Sequence, residues 1–197
     1  MGSLFGLVLD CSSLVPCGEK SEEMKEAIRQ LGSKLYNLNC VIIYFSPHLI
    51  KVYYTIIPKE LKNHHPLPPF QANLLRLLPE LVKITSKSRG LLCNVRQTEG
   101  GIKFHILETS RVEYYDVNDV GLIEEEDKEV LRIALAIASK HEKVFLVTAD
   151  RHFLESVNQN KLLRRYHSEG QKIKIVAPND PNFMNFLTTQ CKNNAST

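Results

Sequence analysis

KVFLVTADRHFLE, residues 143–155, begins with an unbroken apolar run, Val144-Phe145-Leu146-Val147, and delivers a carboxylate, Asp150, just past its end. Four consecutive apolar residues followed by a helical pattern through Phe153, Leu154, Val157 and Leu162 predict a buried strand leading into a helix. Asp150 then has two readings. It caps that helix by accepting hydrogen bonds from the free N–H groups at its start, or it is one of several carboxylates gathered at the same edge of a sheet. The choice turns on what else the chain brings there.

A second such strand stands at the N-terminus, where SLFGLVLD (3–10) is apolar up to Asp10. Ser21 with Glu22 and Glu23 reads as a helix start, and Met24, Ile28, Leu31 and Leu35 repeat at helical spacing to about Leu38. CVIIYF (40–45) is another apolar strand, and Ser46-Pro47 opens a helix with proline in its favoured first turn. RVEYYDV (111–117) reads as a strand, Glu124 to Lys140 as a helix, KIKIVAP (172–178) as a final strand and NDPNFMNFLTTQ as a terminal helix, with 192–197 as a frayed tail. Strands alternating with helices predict an α/β protein of three layers, α/β/α, around a largely parallel sheet. Ligands in such sheets bind at the carboxyl ends of the strands.

Residues 55–110 depart from the alternation. PKELKNHHPLPPF is a basic, proline-rich connector, ANLLRLLPELVKI a helix in spite of Pro79, and LLCNVRQTEGGIKFHILE two strands about Gly100-Gly101. This segment is expected to be an insertion, a helix plus a β-hairpin, within one domain spanning 1–197.

Composition excludes several classes. Five cysteines without a CxxC pair or a histidine partner at zinc-finger spacing give neither a disulfide framework nor a structural zinc site, and point to a cytoplasmic setting. No leader pattern and no apolar run of about 18 residues occurs, so a soluble protein without a membrane role is expected. Neither glycine-rich phosphate-loop signature is present. The net charge is only +3, but residues 51–103 carry nine Lys or Arg against three Glu, and 151–174 carry six against two. Between them, 108–129 hold nine acids against two bases. An acidic centre between basic flanks suits a metal-dependent enzyme acting on a polyanion, and equally describes a solvated surface of mixed charge.

Asp10 and Asp150 both end apolar strands. Asp127 joins them by arithmetic: a helix from Asp127 to Lys140 descends about 20 Å at 1.5 Å per residue, and the strand from Lys143 to Asp150 climbs back about 25 Å at 3.3 Å per residue. Asp127 also lies in line with the apolar stripe of Val130 and Ala134, so it faces inward at the helix N-terminus. Three converging carboxylates repel one another unless a cation intervenes. Oxygen ligands without thiolate or paired His select Mg²⁺ or Mn²⁺, which bind through a few carboxylates plus substrate phosphate and can activate water.

These residues resemble the PIN-domain nucleases. The likeness rests on VLDCSSLV (8–15), an Asp at the end of the first strand followed by a small hydroxyl residue. It rests also on DKEVLRIALA (127–136), on LVTADRHFL (146–154) and on the closing IVAPNDPNFMNFL (175–187). It covers roughly residues 3–54 and 111–188. The resemblance implies a three-layer α/β/α fold and Mg²⁺- or Mn²⁺-dependent hydrolysis of RNA, with Asp10, Asp127 and Asp150 as catalytic metal ligands and Ser12 and Thr148 orienting the site. It makes RNA the partner. A homodimer is a family expectation, and a protein regulator a partner class the family admits. In the same frame, a catalytically weakened PIN-like module that binds RNA or a protein is the alternative function.

The chain departs from the family at two points. SPHLIKVYY (46–54) lacks the usual acid in the helix after the second strand and has Lys51 there, which cannot ligate Mg²⁺ while protonated. Glu60, Asp116, Asp119 and Glu124–Glu126 are substitutes for that acid or solvated surface groups. His152 stands where some members have a further Asp; it is a phosphate or water partner, or a turn residue. Lys59, Lys62, Lys87, Arg89, Arg96, Arg151, Arg164 and Arg165 are candidate RNA-backbone contacts by charge alone. His64-His65 has no third ligand nearby, and of Tyr114-Tyr115 one is expected in the core and one free to stack on bases.

Overall fold

The apolar run at 144–147 lies inside a six-stranded sheet. The computed structural model describes residues 5–16, 19–38, 41–62, 66–87, 94–95 and 103–192. The elements run β1 (Gly6–Leu9), a 3-10 turn (Cys11–Ser13), α1 (Glu22–Tyr36), β2 (Ile42–Phe45), α2 (Pro47–Leu61), α3 (Pro69–Lys87), β3 (Asn94–Val95) and β4 (Lys103–Ile106). They continue with α4 (Thr109–Glu113), α5 (Glu125–Ala138), β5 (Val144–Val147), α6 (Arg151–Ser156), α7 (Gln159–Arg165), α8 (His167–Gly170), β6 (Ile173–Val176) and α9 (Pro181–Lys192). The strand order is β3-β4-β2-β1-β5-β6, parallel throughout except for the short edge strand β3. The fold is α/β with helices on both faces of the sheet, in three layers.

β1 and β5 are buried at every position because helices cover both faces of the sheet. Phe145 packs on Phe183 and Phe186 of α9 with ring centroids 4.9 Å apart. On the other side α5, which buries Val130, Ile133, Ala134 and Ile137, lies across β1 and β5. Local signals start the helices: Ser21 Oγ accepts from Met24 N at 3.2 Å, and Ser46 Oγ accepts from Leu49 N at 3.1 Å with Pro47 in the first turn. Among the described residues no helix is long and apolar enough to cross a membrane.

The order of the sheet is what positions a site. From β1 the chain winds outward through β2 to β4, then returns to the other side of β1 for β5 and β6. The direction reverses between β1 and β5, and at such a reversal the connections leave in opposite directions and open a crevice at the carboxyl edge.

Two expectations need correction. Residues 111–117 are not a strand: α4 and the turn after it occupy them, with Val112 N bonded to Glu108 O at 3.3 Å and Tyr115 N to Val112 O at 3.2 Å. The place beside β2 belongs to β4, whose pairing Tyr44↔His105 is parallel. Within the segment 55–110, α3 packs on α1 and α2, and β4 joins the sheet between β2 and β3. β3 and β4 do pair antiparallel as a hairpin would; the turn between them lies outside the described residues. Finally, the helix expected from Phe153 through Leu162 breaks at Val157, which is extended. Asn158 restarts it by accepting from Lys161 N at 3.0 Å, while its own N–H goes to Val120 O at 2.7 Å. The expected tail beyond Lys192 lies outside the described residues.

Gly121 fixes the entry to α5. Its φ of +102° suits glycine, and a Cβ there would stand 2.1 Å from Ser156 O. The loop before α5 is thus pressed against the end of α6, which holds the first turn of α5 near the end of β5.

Candidate active site

Asp10 and Asp150 leave the two strands that flank the crevice. Asp10 N donates to Val147 O at 2.8 Å, extending the β1–β5 ladder by one residue, and the side chain is 3% exposed. Its Oδ2 accepts from Thr148 Oγ1 at 2.8 Å and from Ser12 N at 3.3 Å, and it also accepts from Ser12 Oγ. The same hydroxyls reach back to β5: Ser12 Oγ accepts from Ala149 N at 2.9 Å and Thr148 Oγ1 from Asp150 N at 3.0 Å. Ser12 and Thr148 therefore tie the two strand ends together through one carboxylate. Beneath them the buried Tyr53 hydroxyl donates to Leu9 O. Burial raises the Asp10 carboxyl above its ordinary range, opposed by these hydrogen bonds.

Asp150 satisfies both of its readings at once. Its Oδ1 accepts from His152 N at 2.7 Å and Phe153 N at 3.4 Å, capping α6, and the half-buried residue also lines a cavity of about 340 Å³ at the carboxyl edge. Asp10, Ser12 and Asp127 line the same cavity. Thr148 lies under it, fully buried.

The acidic run at the start of α5 divides by helical rotation. Glu125 turns outward to Lys128 at 2.7 Å and Arg132 at 3.6 Å, whereas Glu124, Glu126 and Asp127 line the cavity. Their acids favour a helix N-terminus, where the free N–H groups carry partial positive charge. The Asp127 side chain, on a residue 8% exposed, is pushed up to about 6 by burial first, then by Asp10 and Asp150. Glu126 is pushed up to about 7 by burial first, then by Asp10 and Asp127, and its Oε1 is buried with no hydrogen-bond partner. Asp10 and Glu124 thus act on both Glu126 and Asp127, and Asp150 acts on Asp127, across a small space.

The remaining walls are Cys11, Val15, Lys20, Ile56 and Glu60. Burial, then Glu126 and Asp10, push the Cys11 thiol up, so it stays a protonated packing group. Lys51 is exposed on α2 and does not line the cavity; Glu60, later in the same helix, does. Of the acids named beside Lys51, Glu60, Glu124 and Glu126 line the cavity. Neighbouring an Asp already assigned to the site, Glu126 was legible as a candidate and ambiguous in direction. Lys20 sits in a connector with no spacing signal at all.

The other candidates fall elsewhere. His152 is exposed, with its ring against Ser156 Oγ at 3.1 Å, and its charge lowers the Asp127 carboxyl slightly against the larger upward effects. Asp116 and Asp119 pair with Arg165 at 3.3 and 3.0 Å and do not line the cavity. Arg151 pairs with Glu155 at 2.8 Å, and Lys59, Lys62 and Arg164 are exposed without lining the cavity. Lys87 ends α3, while Arg89, Arg96 and His64-His65 lie outside the described residues. Tyr115 is buried and Tyr114 76% exposed, in edge contact at 5.1 Å.

The donors fit a hard divalent cation in kind: they are carboxylate oxygens gathered about one cavity, and Glu126 Oε1 is buried without a hydrogen-bond partner. Among the described residues no three such side chains already converge on one point as a grip for an ion. The chain matches no family model, no curated protein and no solved structure.

Proposed function

We propose that the protein is a metal-dependent ribonuclease of the PIN-domain kind, hydrolysing RNA phosphodiester bonds at the crevice between β1 and β5. The observation that carries this reading is the meeting of Asp10, Glu126, Asp127 and Asp150 around one cavity at the point where the sheet reverses direction. A purely structural role does not account for Glu126 and Asp127, both raised by burial and then by the acids beside them.

Asp10, Asp127 and Asp150 would hold Mg²⁺ or Mn²⁺, with Glu126 in place of the family acid that Lys51 displaces. When bound, the ion supplies Lewis acidity toward the phosphate and lowers the pKa of a coordinated water. Ser12 and Thr148 hold Asp10 by its Oδ2, fixing its orientation before any ligand arrives. Asp150, locked by the α6 amides, is similarly preset. Glu126 carries a proton near neutrality in the metal-free protein and yields it as a cation enters. In the hydrolysis a water oxygen adds to phosphorus, the bridging P–O bond breaks and the leaving sugar oxygen takes up a proton.

The test is cleavage of a labelled single-stranded RNA with Mn²⁺, Mg²⁺ or EDTA by the native chain, Asp10→Asn and Asp150→Asn. Cutting that needs the metal and is lost in both variants supports the reading. Clean protein that binds RNA but never cuts it with either metal overturns it and leaves an RNA-binding module.

A further inference from the structure

A cavity lined by carboxylates repels the very substrate it is proposed to cut. A phosphodiester strand carries one negative charge per nucleotide, and a divalent ion offsets only part of the surrounding charge. Among the described residues lining this cavity, Lys20 is the single cation. It is half-buried, on the connector between the 3-10 turn and α1, and its charge acts on the Cys11 thiol, the neighbour of Asp10. In this it differs from Lys59, Lys62 and Arg151, which are exposed and line no part of the cavity. A flexible stem ending in a compact ammonium with three donors is suited to a phosphate oxygen whose position varies along a strand.

Resting on the nuclease reading, we propose that Lys20 is a substrate-positioning residue whose ammonium holds a backbone phosphate of the RNA strand inside the carboxylate cavity. The competing role is that of a counter-charge, in which Lys20 merely offsets the acids. The two roles separate cleanly. A phosphate contact is felt in substrate binding and its salt dependence; a counter-charge is felt only in metal affinity and stability.

The experiment compares native protein, Lys20→Gln and Lys20→Arg. Cleavage of labelled single-stranded RNA is followed with Mn²⁺, RNA binding by anisotropy with Ca²⁺ in its place over a range of salt, and Mn²⁺ binding by calorimetry. Thermal melts establish that each variant is folded. Lys20→Gln is expected to raise KM about tenfold, the scale of one charged hydrogen bond, with kcat changed less than about threefold. It should also lower the log–log salt slope by about 0.7, the value for one phosphate contact on a single strand. Lys20→Arg should recover most of the KM. Unchanged KM and salt slope in Lys20→Gln, alongside tighter Mn²⁺ binding, overturn the proposal and make Lys20 a counter-charge. Native protein that neither binds nor cuts the RNA overturns the nuclease reading itself, and with it this one, whereas native activity with an unaltered Lys20→Gln overturns this one alone.

Discussion

Raising the pH of the metal-free protein should weaken it, and the cavity says by how much. Glu126 is pushed up from 4.5 to about 7 and Asp127 from 3.8 to about 6, in both cases chiefly by burial and then by neighbouring acids. A carboxyl that binds its proton more tightly folded than unfolded stabilises the fold below the unfolded pKa, and that stabilisation is lost as the pH climbs through the folded one. The window therefore runs from about pH 4 to about pH 7. At about 1.36 kcal/mol per pH unit the two shifts together are worth about 6 kcal/mol. Solvent reaches the cavity, which halves this to about 3 kcal/mol, and the two protons leave as a coupled pair. For a domain of this size that is a fall in Tm of roughly 6–12 °C. Other acids contribute in the opposite sense, as Glu125 and Glu22 are lowered by their lysine partners, so the comparison is with Glu126→Gln. Thermal melts in EDTA should find this variant as stable as the native chain near pH 4 and more stable by about 1–2 kcal/mol above pH 7. Added Mn²⁺ should reverse the native loss, since it binds the ionised carboxylates. Parallel curves for native protein and Glu126→Gln across the whole range would refute the reasoning.

Thr148→Val removes the hydroxyl that donates to Asp10 and accepts from Asp150 N, in a fully buried place. It should cost about 2–3 kcal/mol by urea unfolding, and raise the Asp10 carboxyl further, weakening Mn²⁺ binding in calorimetry. Asp150→Asn keeps an effective cap for α6, since Asn caps a helix as well as Asp, so its urea midpoint should correspond to a loss of less than about 1 kcal/mol while RNA cleavage is abolished. A large loss of stability would mean that the carboxylate serves mainly as a cap. Gly121→Ala places a Cβ against the Ser156 carbonyl at a φ of +102° and should destabilise by about 2 kcal/mol or more in the same unfolding assay. A neutral effect there would show that the loop before α5 is not held as described.

The runs at 6–9, 42–45 and 144–147 were legible because a strand buried on both faces must be apolar at every position, and nothing else of that length competes. Asp10 and Asp150 followed at once, being the first acids past two such runs. Asp127 followed from helix and strand lengths that nearly cancel. KFHI at 103–106 was harder: Lys103 and His105 break the apolar run, because this strand lies toward the edge with Lys103 exposed. It was therefore assigned to a separate hairpin, and RVEYYDV, richer in β-formers, was put in the sheet instead. Propensity lost there to tertiary pairing, since β4 already satisfies the free edge of β2. The direction of Glu126 depends on a rotation of one residue about the α5 axis, and the presence of Lys20 at the cavity depends on the path of a connector. Neither leaves a periodic trace. The break at Val157–Asn158 is made by a long-range bond from Asn158 N to Val120 O, equally invisible in local pattern.

The crevice between β1 and β5 is proposed to hold a divalent cation. Calorimetric titration of Mn²⁺ into the native chain and Asp10→Asn, near neutral pH in two buffers of different ionisation enthalpy, tests it most directly. Saturable binding to native protein with net proton release, as Glu126 and Asp127 give up their protons, and loss of that binding in Asp10→Asn are the expected results. Binding that is absent from the native chain, or that is unchanged by Asp10→Asn, would contradict the proposal.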